Sequence, residues 1–146
     1  MKYLLILLAL TGIASAQKRT CEAPTPMTDP EFRMGQVWSY HTRPGDEGST
    51  VSIYKIETVG KIGEVVHVRV DGLHIHNGRG DEVPTVQHMP FQRKAFGESV
   101  VRLLRTGKDA PDAKEGYETW RNACGGVYSI TIADVIRIVQ KQLGGE

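Results

Sequence analysis

Five histidines are the residues of this sequence with the widest chemical reach. His74 and His76 stand at i and i+2, so on a β-strand both imidazoles leave the same face. His67 joins them if a bulge in between keeps the phase, and His88 opens the next half of the chain nearby. Three imidazoles plus a water make a workable open zinc site, because neutral nitrogen donors suit that borderline cation. A divalent ion held by His74, His76 and His88, with Asp71 or Asp81 beside it, would turn its bound water into a nucleophile. The plainer reading is that an HxH pair decorates the polar face of a half-buried strand and needs no ligand.

The other chemical candidates are unfocused. Asp46-Glu47 and Asp81-Glu82 are acidic pairs in turn-rich segments, where solubility alone explains them. No serine sits in a GxSxG elbow, and HExxH, P-loop and GxGxxG patterns are absent. Gly78-Arg79-Gly80 has too little around it to cradle a phosphate. With no complete catalytic motif and no cofactor signature, a non-catalytic role is favoured. Binding then falls to loops carried on rigid elements. Arg43, Asp46 and Glu47 at one hairpin tip and Arg79 and Asp81 in the following long loop are the candidates. Trp38, Tyr40 and Tyr54 could line a groove, but aromatic pairs across strands are ordinary sheet packing.

Charge and length bound the partner. The chain has 146 residues and a formal net charge of +1, which is one domain without the basic excess of a nucleic-acid binder. Residues 1–16 read as an export signal: Lys2, the apolar run Leu4 to Leu10, and a small-x-small site at Ala14-Ser15-Ala16. That run is too short to span a bilayer, and no later segment is long enough either. Periplasmic or secreted destinations follow. In such a compartment Cys21 and Cys124 read as a disulfide, since their spacing fits neither a redox nor a zinc motif.

The elements that position these residues follow from periodicity. Residues 17–34 carry Pro24, Pro26 and Pro30 and read as an extended tail held by Cys21. The remainder, 35–146, reads as a single domain. Val37 to Thr42 and Ser49 to Thr58 predict a hairpin, and Glu64 to Val70 is the clearest strand. Asp71-Gly72 fits either a turn or a bulge in one bent strand running on to His76. Phe96, Val100, Leu103 and Leu104 fit a helix between Pro90 and Gly107. A second helix should start at Asp112, in a capping box with Glu115, and present Tyr117, Trp120 and Cys124 on one face. Val127 to Thr131 allows another strand, and Thr131 caps a last helix that buries Val135, Val139 and Leu143. The sum is an α+β domain: a curled antiparallel sheet of three to five strands, hairpin and meander, with two to three helices on one face.

The stretch from Gly35 to Glu47, reading GQVWSYHTRPGDE, and the later His88-Met89-Pro90-Phe91 carry a resemblance. The chain resembles small exported bacterial proteins of unknown function that share a GQVW-x-Y-x-TRPGE-type stretch and a later HMPF stretch. Asp46 departs from that pattern, which usually has Glu. The resemblance implies a surface shared by the hairpin tip and the His88 region, and no activity or cofactor. The expectation is therefore an exported, non-catalytic binding protein, inhibitor- or immunity-like, for a protein or small-molecule partner. The alternative is a divalent-metal protein or metal-dependent hydrolase built on the histidines.

Overall fold

The computed structural model describes residues 20–144, so the expected export signal lies outside them. Strands are β1 (Thr25–Pro26), β2 (Gln36–Tyr40), β3 (Thr50–Val59), β4 (Gly63–His76), β5 (Glu82–Gln92) and β6 (Val100–Thr106). Helices are α1 (Arg93–Ser99), α2 (Lys114–Asn122) and α3 (Ile132–Gln142). The open antiparallel sheet runs β5-β4-β3-β2-β6, with β1 paired to β3. This is the expected α+β class. Among the described residues no helix is long and apolar enough to cross a membrane.

One face of the sheet holds the main core. Val51, Ile53 and Ile56 of β3, Val66, Val68 and Val70 of β4, and Met89 and Phe91 of β5 meet Phe96 of α1 and Ile132, Val135 and Ile136 of α3 there. Alternate residues of β4 point the other way, and the second helix covers them. So α1 and α3 lie on one face and α2 on the other, a correction to the expectation of helices on one face only. The physical reason is that Val65 and His67, both fully buried, sit on the far face and need a cover.

Three departures from regular pairing among β3, β4 and β5 set the faces there. Between the pairs Ile53↔Val68 and Lys55↔His67, β3 advances two residues and β4 one, so Tyr54 is an extra residue. Between Val68↔Met89 and Val70↔Val86, β4 has only Arg69 while β5 has Gln87 and His88. The third irregularity lies between Asp71 and Ile75, with Gly72 at φ +74°, a conformation glycine adopts freely. Asp71-Gly72 is thus a bulge within one long strand, one of the two options left open by the sequence.

The segment before β2 is extended, as expected, but Cys21 is not its only tether. Phe32 is buried in the core, and Asp29 is buried with its carboxylate on Arg93 and on the amides of Glu31 and Phe32. The long helix expected from Pro90 to Gly107 is corrected: only Arg93–Ser99 is helical, and Val100–Thr106 is a strand. Val100 and Val101 are β-branched and stiff in a helix, and β2 offers a free row of hydrogen-bonding groups. The Ser99 hydroxyl marks the break, donating to Ala95 O and accepting from Ile132 N. The expected capping box also fails: α2 begins at Lys114 without a side-chain cap, and Asp112 gives its carbonyl to Arg69 instead. Thr131 does cap α3, accepting from Asp134 N. Residues 127–131 make only one bridge, Tyr128 to Phe91.

Candidate functional site

The far face of the sheet carries a chain of polar groups beneath α2. Its anchor is Glu57, only 2% exposed. In an unbroken strand Glu57 would share the face of Ile53; the extra Tyr54 reverses the alternation and turns Glu57 away from the main core. It then stands one step along from His67, whose register partner is Lys55. The bulge at Gln87-His88 performs the same service on β5, letting His88 reach the ring of His67.

The distances define a relay. Glu57 Oε2 lies 3.1 Å from His67 Nε2, and His67 Nδ1 lies 3.0 Å from His88 Nε2. The Tyr117 hydroxyl donates to both Glu57 oxygens, at 2.8 and 2.9 Å, and Lys55 Nζ approaches Oε1 at 3.5 Å. Surrounded by donors, the Glu57 carboxylate accepts throughout. His67 must then carry its proton on Nε2 and accept at Nδ1, so His88 donates from Nε2. The remaining lone pair is on His88 Nδ1. That atom has no protein partner among the described residues, and since no buried side-chain nitrogen there lacks one, it opens to solvent.

Aromatic rings seal the rest. Tyr117 meets the edge of His67 at 4.9 Å between centroids, and Trp120 at 4.7 Å. Burial therefore pushes the His67 imidazole down to about 3, helped by the positive charge of His88 and of Lys55, and pushes His88 down to about 4. Both rings are neutral at physiological pH. Burial, then the hydrogen bond to Glu57, raises the Tyr117 hydroxyl above its ordinary value.

The helix that closes this chain is held at three points. Gly116 N donates to Gln87 Oε1 at 3.1 Å, and a Cβ on Gly116 would meet His88 Cβ at 2.5 Å, so only glycine allows this approach. Arg69 binds Asp71 and the Asp112 carbonyl ahead of the helix. Behind it, Cys124 forms a disulfide with Cys21, with a Cα–Cα distance of 5.3 Å. The expected staple therefore pins the far end of α2.

The sequence-derived candidates are scattered. His74 and His76 do leave one exposed face together, and the bulges put His67 on that same side of the sheet. Yet His67 is seven residues from His74, roughly 20 Å along a strand. His74 binds Glu82 at 2.7 Å, His76 offers its backbone to Gln140, and His88 belongs to the relay. Among the described residues no trio of His, Cys, Asp or Glu is arranged to hold a metal.

The hairpin tip is also not the free charged loop that its composition implies. Asp46 is 1% exposed, pairs with Arg43, and accepts from His74 N at 2.7 Å; Arg43 reaches on to the His74 carbonyl at 2.9 Å. Both residues lock the tip onto the bend of β4. Glu47, Arg79 and Asp81 remain at the surface, the last two as an exposed ion pair. Glu57 was missed by sequence reasoning, although a carboxylate and an imidazole inside two β-branched runs signal that each needs a partner.

No family model, no curated protein and no solved structure matches the chain.

Proposed function

We propose that the chain is an exported, non-catalytic binding protein that docks an extended, acidic and apolar segment of a partner protein along β6. The relay fits that reading as a structural clamp: its members saturate one another, leaving a single imidazole nitrogen open. The observation that carries the proposal is the sheet edge. Among the described residues β6 pairs with β2 alone, and Val101, Leu103 and Leu104 are 57%, 41% and 40% exposed on it. Sheet edges are ordinarily blunted with charge, proline or bulges. β6 has two such bulges, at Val101 and Leu104, yet both of these apolar side chains stay exposed. Arg102 and Arg105 are exposed among them, which selects a partner strand carrying Asp or Glu. Glu47, Arg79 and Asp81 are exposed but stand outside this contact: Arg79 and Asp81 pair with each other in the β4–β5 connection, at the opposite edge of the sheet.

The disulfide supports an oxidising destination, periplasmic or secreted, and an inhibitor- or immunity-like role fits a small stapled scaffold. The test is native mass spectrometry of the untagged protein from its own host, followed by amide exchange on any stoichiometric complex. We expect protection over residues 100–106 and about 100-fold weaker binding by the Leu103→Glu, Leu104→Glu variant. Protection confined to residues 43–47 and 77–87, or unchanged affinity in the variant, refutes docking at β6.

A further inference from the structure

A concavity away from the β6 edge borders the relay and shares Lys55 with it. A groove of about 630 Å³ runs between the N-terminal segment and the bulged middle of β3. That volume is in the range of small-molecule clefts, about 300–1,000 Å³. Its apolar surface comes from Met27, Met34 and Tyr54, with Met34 44% exposed. Tyr54 faces the groove because it is the extra residue of the β3 bulge.

The charges along it are of one available sign. Asp29 lines the groove, but its carboxylate is already bound by Arg93 and two backbone amides. Arg33 and Lys55 are the cations there, Arg33 exposed and the Lys55 side chain 39% exposed. Lys55 Nζ is paired with Glu57 at 3.5 Å and lies 4.5 Å from the Tyr117 ring centre, so Arg33 is the principal cation and Lys55, still part-exposed, the secondary one. An apolar trough with cations at its rim matches a molecule with an apolar body and one anionic head. We infer that the groove binds a small amphipathic carboxylate, its aliphatic or aryl body on Met27, Met34 and Tyr54 and its carboxylate on Arg33 and Lys55. This site is independent of the β6 reading, and a partner bound at β6 leaves it untouched.

Sodium decanoate below its micellar concentration is the probe, titrated calorimetrically into the oxidised full chain, with decylamine as the charge control. We expect saturable 1:1 binding, with shifts in the methyl resonances of Met27 and Met34. Arg33→Gln, at an exposed position, should weaken binding about tenfold, and Met34→Ser, which removes apolar contact without changing charge, should do likewise. Lys55→Gln should add to Arg33→Gln. Decylamine should bind at least about tenfold less tightly than decanoate. The inference is overturned by absence of saturation up to about 1 mM. Equal affinity for decanoate and decylamine, or binding that ignores Arg33→Gln and Met34→Ser, also overturns it.

Discussion

The Glu57→Gln substitution tests whether the carboxylate organises the far face. It keeps shape and removes charge. Lys55 can only donate, so the new amide oxygen must face it, 3.5 Å from Nζ if it takes the place of Oε1. The amide nitrogen then faces His67 and donates, where the carboxylate accepted at 3.1 Å. His67 has to accept at Nε2 and carry its proton on Nδ1, and His88 in turn accepts at Nε2 and protonates at Nδ1. A single substitution thus reverses two tautomers. Hydrogen bonds to a charged partner contribute about 1.5–3 kcal/mol. Because one neutral acceptor survives, we expect a loss of about 2 kcal/mol in urea unfolding at pH 7. At this chain length that lowers Tm by roughly 8 °C. Glu57→Ala, which strands Tyr117, His67 and Lys55 together, should cost about 3–5 kcal/mol. Long-range proton–nitrogen correlation spectra distinguish the tautomers directly: protonation at Nε2 of both rings in the wild type, at Nδ1 of both in the variant. Unchanged tautomers together with a stability change below about 0.5 kcal/mol would refute the relay.

Acid should also loosen the fold. His67 and His88 titrate near 3 and 4 when folded and near 6.5 when unfolded, so the unfolded chain takes up their protons first. Their contribution is whole above about pH 6.5 and declines as pH falls toward 4. The slope is at most about 1.4 kcal/mol per pH unit for each ring, less for half-buried His88. Urea midpoints at pH 7, 6 and 5 should fall in step, and His88→Gln should flatten the trend; a constant midpoint in the wild type contradicts it. Gly116→Ala, whose methyl meets His88, should lift α2 and lower stability by about 1–3 kcal/mol, with a shift in Trp120 fluorescence. Wild-type stability and emission would mean that the helix does not approach β5 so closely. At the hairpin tip, Asp46→Ala should destabilise by about 2 kcal/mol or more because Arg43 and the His74 amide lose a buried acceptor, whereas Glu47→Ala should leave the urea midpoint unchanged. Equal effects of the two substitutions would show that the tip is not locked through Asp46.

Local pattern carried far where one face of an element is buried by its own neighbours. Valines at alternate positions marked β4, and Thr131 marked the start of α3. The same reasoning failed for Val100–Thr106, whose spacing satisfies a helix. There the deciding term was the vacant edge of β2, a partner more than 60 residues away in sequence.

The candidate site shows the division most sharply. Residue types alone determined that this is an α+β domain with a cysteine pair able to bridge its ends, and that His67 and Glu57 lie in strands. Which residues meet was decided by the tertiary structure. A bulge inserts one residue and thereby exchanges the faces of everything beyond it. Tyr54 sent Glu57 to His67, Gln87-His88 brought the second imidazole across, and the bend at Gly72 carried His74 and His76 away to the surface. Bulge positions follow from how three strands twist and pack together, so no periodicity within a single strand contains them.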